Sequence, residues 1–244
     1  MFLCWGSFLN VLGYRLVRGQ NIAWPRSSCP HCSHVIPWYD LIPVFSWLVL
    51  RGSCRFCHRP ISALYPFIEL ITTVVMITLY LTIPHLYFFP YFIFFSALIT
   101  TIRSDIETML ISRYVTIFLI PLGILLSALG LLPISPLDSV AGALLGFFFL
   151  YTMSKLFLVF AGKQGMGQGD LELLAFIGSF LGAVGCWIAL LIASVLGSLI
   201  GVGYMAITRS SSSTKIPFGP FLAFGAMLYV LAQDYLAPLL IHSY

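Results

Sequence analysis

Four cysteines fall in two close pairs, Cys29 and Cys32 in "CPHC" and Cys54 and Cys57 in "CRFC", with 21 residues between the pairs. Such pairs suit tetrahedral Zn²⁺, because each C-x-x-C bends sharply enough to give two thiolates to one ion. Four protein ligands leave no open position, so the metal would be structural. Disulfides are the rival use of the same thiols. His31, His34 and His58 flank the pairs and read as exposed neighbours of the ligands rather than as ligands. Cys4 and Cys186 lie in apolar runs and read as small core residues.

The other candidates are carboxylates, of which the chain has only eight. In or beside an apolar environment a carboxylate is a functional candidate, because charge is expensive there. Asp105 and Glu107 stand in "RSDIETML", and Asp170 and Glu172 in "GMGQGDLELLAF". Two carboxylates brought together at a membrane edge make an acid–base pair. Repulsion favours a state sharing one proton, so that one activates water while the other donates to a peptide carbonyl. Helix capping is the plainer use of Asp170, but it leaves Gly165, Gly167 and Gly169 unexplained. Residues without Cβ let another backbone come close or let the chain take positive φ. Glu69, in "YPFIELI", suits either a cation site or a buried, hydrogen-bonded carboxyl, and Asp40 belongs with the cysteines.

The elements that carry these groups follow from composition and charge placement. Of 244 residues, 60% are hydrophobic and 8% charged, and apolar runs of about twenty residues recur from end to end, the length that crosses ~30 Å of hydrocarbon. The chain reads as an all-α polytopic membrane protein. "MFLCWGSFLNVLGYRLV" lacks a basic start and carries Arg15 after its apolar run, so it is expected to stay as an anchor rather than be cleaved; it is short enough that the natural chain could start further upstream.

The twelve Lys and Arg form four clusters: Arg15 to Arg59, Arg103 with Arg113, Lys155 with Lys163, and Arg209 with Lys215. The gaps, near "TIPHLYFFP", "GLLPISPLDS" and "GAVGC", each hold enough residues for a two-span hairpin and have no basic residue at their turns. Basic residues near span ends mark the cytoplasmic side. About eight spans are therefore expected, at roughly 1–17, 62–83, 86–104, 114–132, 138–160, 171–185, 187–207 and 218–240, with both termini outside. Asp138 and Asp234 fall on the outer side; Asp105 and Asp170 share the cytoplasmic side. A 1–17 helix, an 18–61 cytoplasmic domain and a 62–244 seven-helix body make up the domain organisation. The 18–61 segment is too small to hold a core without a metal staple, and the reducing cytoplasm disfavours disulfides. Its "WYDLIPVFSWLVLRG" is more apolar than so small a domain can bury, and is expected on the membrane, on a substrate surface or against the helix bundle.

Together these motifs resemble those of the type IV prepilin peptidases, bacterial inner-membrane aspartic proteases of the G-x-G-D class. "GSFLNVLGYRL" resembles the family's first span. "CPHC", "IPWYDLIPVFSWLVLRGSCRFCHRPIS" and "YPFIEL" resemble its cytoplasmic domain, "SDIETML" and "GMGQGD" its two aspartate regions, and "IPFGPFLAFGA" the start of its last span. The resemblance implies eight spans and makes Asp105 and Asp170 the catalytic pair, with Gly167 and Gly169 letting substrate or a neighbouring helix approach. It implies cleavage of type IV prepilin or type II secretion pseudopilin leaders after a glycine, on the cytoplasmic side. N-methylation of the new N-terminus with S-adenosylmethionine would commonly follow. Protein substrates and membrane lipid are the implied partners, with no nucleic acid.

The chain departs from the family pattern at two places. Ser112 and Arg113 stand where Pro and Asp or Asn are frequent, and Glu172 stands where Lys is usual. The second change puts a negative charge beside Asp170. A transporter or channel using Asp105 and Asp170 as ion ligands, and a non-catalytic assembly factor, are the rival functions.

Overall fold

The computed structural model describes residues 1–162, 165–208 and 216–241, with 233–241 as backbone only. Lys163, Arg209, Lys215 and the Asp234 side chain, all part of the charge map, lie outside the described residues. The regular elements of the described chain are all helices, beside two isolated β-bridges. Four of its helices are long and apolar enough to cross a membrane: Leu64–Thr82, His85–Thr108, Pro136–Ala161 and Gln168–Ile207. Two compact units divide the chain, Met1–Leu81 and Thr82–Tyr244.

The first unit holds α1 (Phe2–Leu16), a 3₁₀ turn (Trp38–Leu41), α2 (Phe45–Val49) and α3 (Leu64–Thr82). Helices α1 and α3 touch backbone to backbone at Gly6, where an added Cβ would lie 2.9 Å from the Glu69 Cα. One turn along, Asn10 Nδ2 donates to the Tyr65 carbonyl at 3.1 Å. Buried Glu69 accepts from the Val44 N–H at 2.7 Å. Val44 sits at φ +63°, ψ −52°, and Phe45 N–H bonds back to the Pro43 carbonyl at 2.7 Å, a positive-φ γ-turn that a β-branched residue adopts only when held. Of the two uses expected for Glu69, the structure shows the hydrogen-bonded carboxyl. Cys4 is exposed on α1 rather than packed in a core, because it faces away from α3; Cys186 is buried as expected.

The second unit holds α4 (His85–Thr108), α5 (Arg113–Thr116), α6 (Leu119–Ala128), α7 (Pro136–Ala161), α8 (Gln168–Thr208) and α9 (Gly219–Ile241). Helix α8 is not one rod. Gly182 leaves the helical region at φ +71°, ψ −175°. The Cys186 sulfur lies 3.9 Å from the Leu174 carbonyl oxygen. A straight helix would part those residues by about 18 Å, so the two halves double back at Gly182, within the "GAVGC" turn read from the sequence.

Asp138, in the first turn of α7, holds this reversal. Its Oδ1 accepts from the Ala183 N–H at 3.1 Å, and a Cβ on Gly182 would meet its Oδ2 at 2.1 Å. The carboxylate thus caps the second half of α8, with the helix dipole in its favour. The first half of α8 packs on α7 at Gly142 and Gly178, and its Phe176 and Phe180 close on Phe94 of α4 with ring centres 5.2 and 4.9 Å apart. This aromatic core fixes α8 against α4, the two helices that carry the candidate aspartates. Leu137, Leu144, Phe148, Val159 and Phe160 of α7 are exposed from the chain, as expected of a helix facing hydrocarbon.

Candidate active site and metal centre

Asp105 lies in the last turn of α4. Its carbonyl accepts from the N–H of Met109, which ends the helix in the left-handed conformation at φ +53°. The buried carboxylate reaches the other way, and Oδ2 accepts from the Gly219 N–H at 3.0 Å. Gly219 and Pro220 open α9, since the Phe218 carbonyl accepts the first helical bonds, from Phe221 and Leu222. Pro220 has no N–H, so Gly219 supplies the amide that Asp105 caps. A carboxylate near the negative end of α4 is thereby set on the positive end of α9.

Asp170 is the third residue of α8. Its N–H bonds to the Gly167 carbonyl at 3.3 Å, and its carboxylate lies back over Gly167, where an added Cβ would meet Oδ2 at 3.4 Å. The electrostatic field of Asp105 also reaches Asp170. Ile111 joins the two helix ends. An added Cβ on Gly169 would lie 2.9 Å from the Ile111 Cβ, and one on Gly219 would lie 3.1 Å from its Cδ1 and 2.7 Å from Asp105 Oδ2. Gly169 thus admits a neighbouring segment beside Asp170, whereas a Cβ on Gly167 would meet only Asp170 itself, at 3.4 Å.

The two alternative carboxylates are otherwise engaged. Glu107 is exposed and pairs with fully buried Arg103, one turn back on α4. Glu172 is buried, accepts from Thr116 Oγ1 at 3.3 Å and pairs with Arg113 Nε at 3.1 Å. Sequence reasoning matched "IPFGPFLAFGA" to the family but gave Gly219 no task; the Gly-Pro step that opens α9 was the signal. Ile111 carried no signal, since nothing about an isoleucine in a loop marks it as a spacer.

The four cysteines of the first unit meet as the spacing predicts, with all Sγ atoms within 4.8 Å of one another. Cys29 and Cys57 sulfurs are 3.8 Å apart, and Zn–S bonds of about 2.3 Å in a tetrahedron require about the same edge. The two halves of the site repeat each other, a match in "SCPHCSHVI" and "SCRFCHRPI" that escaped the sequence reading. Cys29 N–H bonds to the His34 carbonyl and Cys54 N–H to that of Arg59, at 3.0 and 2.9 Å. Ser33 and His58 return bonds to the Cys29 and Cys54 carbonyls, both from positive φ, and a β-bridge closes each loop, Ser28 with Val35 and Ser53 with Pro60.

The N–H groups of Cys57 and then Phe56 draw the Cys54 thiol down to about 7, which favours the thiolate that a metal needs. The Arg55 guanidinium, bonded to Asp40 through Nε at 2.8 Å and a second nitrogen at 2.6 Å, holds that carboxyl below its usual range.

Comparison with known proteins gives the family. Residues 1–83 match the Bacterial Peptidase A24 N-terminal domain, and residues 92–202 match the Type IV leader peptidase family. A prepilin leader peptidase/N-methyltransferase of Aeromonas hydrophila is 37% identical over 94% of this chain and 87% of its own length. Proteins of the same name from Aeromonas salmonicida (strain A449) and Pectobacterium carotovorum subsp. carotovorum are 35% and 32% identical, again over 94% of this chain and over 87% and 90% of their own lengths. No solved structure matches the chain. With these relatives aligned over nearly its full length, the chain belongs to the type IV leader peptidase family.

Proposed function

We propose that this chain is a membrane aspartic endopeptidase that removes the leader of type IV prepilins or type II secretion pseudopilins after a glycine, then N-methylates the exposed residue. The observation that supports the reading most is the contact of Ile111 with both Gly169, beside Asp170, and Gly219, whose N–H bonds to Asp105. The names of the relatives support both activities.

One aspartate, ionised, takes a proton from a water set between the pair; the other, protonated, donates to the scissile carbonyl. The Gly219 amide fixes the orientation of the Asp105 carboxylate, so it does not have to be repositioned as the tetrahedral intermediate forms. The substrate's apolar helix lies laterally in the membrane lipid while its basic leader stays in the cytoplasm, which puts the scissile bond at the membrane edge.

The reading places the protein in the bacterial inner membrane, with about eight passes and both termini outside. The reversal at Gly182 supports counting α8 as two of them. Cys29, Cys32, Cys54 and Cys57 would hold a structural Zn²⁺ within the 18–61 domain, outside the chemistry of cleavage. S-adenosylmethionine would supply the methyl group. Among the described residues no strand leads into a glycine-rich loop.

The test is cleavage of a purified prepilin by the protein in detergent, with the product N-terminus sequenced. Wild type is expected to cut after the leader glycine, and Asp105→Asn and Asp170→Asn each to stop it. Normal cleavage by both variants, or no cut by wild type, overturns the reading.

A further inference from the structure

The two departures from the family pattern, Arg113 and Glu172, are bonded to each other. Glu172 is 4% exposed and sits two residues beyond Asp170 on α8. A buried carboxylate needs partners, and both partners come from α5: Arg113 Nε at 3.1 Å and Thr116 Oγ1 at 3.3 Å. Arg113 is 67% exposed, so its guanidinium keeps much of its hydration while neutralising the buried charge.

Residues two apart on a helix point to nearly opposite sides, about 200° around the axis. Glu172 therefore braces the back of the turn that presents Asp170 and is not itself aimed at the reacting centre. The brace is anchored where it matters. Helix α5 begins two residues after Ile111, the residue packed on both Gly169 and Gly219. A fixed α5 thus sets both Ile111 and the start of α8.

We propose that Arg113 and Glu172 are positioning residues for Asp170, and that the site requires the attraction between positions 113 and 172 rather than a particular sign at either. The inference rests on the reading of Asp170 as a reacting carboxylate. It also removes the repulsion that the sequence placed beside Asp170: the negative charge at 172 is answered by a positive one at 113.

The test is a charge-reversal cycle read as kcat and KM for leader cleavage by the full-length protein in detergent. Arg113→Asp and Glu172→Lys each set like charges together and are expected to lower kcat by at least roughly tenfold with KM little changed, as misplacement of a catalytic group does. The double variant is expected to return to within about threefold of wild type, a coupling that independent sites do not show.

Arg113→Gln, at a largely exposed position, guards against loss of fold. It should keep a single cooperative thermal transition while lowering kcat, and Arg113→Lys should recover part of the loss. A double variant no better than the worse single, or an Arg113→Gln protein cutting at the wild-type rate, overturns the proposal. Asp170→Asn run alongside separates the two readings: normal cutting by that variant sinks the reading of Asp170, whereas its silence with no rescue in the cycle sinks the positioning role alone.

Discussion

Gly219→Ala should leave the protein folded and slow its chemistry. Gly219 is in the first turn of α9 and does not adopt positive φ, so alanine fits its backbone; in helix interiors alanine exceeds glycine by up to ~1 kcal/mol. The added methyl would lie 2.7 Å from Asp105 Oδ2. Close carbon–oxygen contacts sit at about 3.3–3.6 Å, so the carboxylate or the start of α9 must give by roughly 0.6–0.9 Å. That shift stretches or breaks the 3.0 Å bond from the Gly219 N–H.

Bonds to a charged group contribute about 1.5–3 kcal/mol, and each ~1.4 kcal/mol of lost transition-state stabilisation is a factor of ten in rate. The expected loss in kcat is therefore roughly ten- to a hundredfold, the same as for a catalytic group displaced by about 1 Å. The assay is steady-state cleavage of a purified prepilin, beside a thermal melt in the same detergent. Gly203→Ala, whose methyl would enter open space, is the control. A folded Gly219→Ala enzyme cutting within about twofold of wild type would refute the claim that Gly219 sets the position of Asp105.

Asp138→Ala removes the cap on the second half of α8 and should cost about 1–2 kcal/mol, read as a lower melting temperature in detergent; an unchanged melt would mean that the reversal holds without Asp138. Stripping metal with a strong chelator, or Cys29→Ser with Cys54→Ser, should open residues 18–61 to protease while the helices of the second unit stay protected. Unchanged digestion of that segment would count against a structural metal.

How much could be read in advance differs from element to element. The cysteine pairs were legible because metal geometry constrains sequence over four residues, well within reach of local reasoning. For Asp105 and Asp170 the sequence offered only an expected shared side of the membrane, since spacing along the chain carries no information about separation in space. The Gly182 reversal could be placed from the absence of basic residues around it, but its holder, Asp138, lies far away in sequence on another helix. Glu172 resisted for the same reason: read along the chain it is a charge of the wrong sign, and only its contact with α5 shows that Arg113 is its complement.

The matching loops around the cysteines have a consequence for how the chain can be altered. Each loop is closed by its own bridge and its own pair of backbone bonds, so each is a self-contained clip that offers two sulfurs. Residues 37–51 lie between the clips and are tied to the second one, since Asp40 pairs with Arg55 and Trp47 Nε1 donates to the Ile61 carbonyl at 3.1 Å. An exchange of that apolar segment therefore has to keep those two anchors, whereas a copy of 53–61 placed at 28–36 should still bring four sulfurs together.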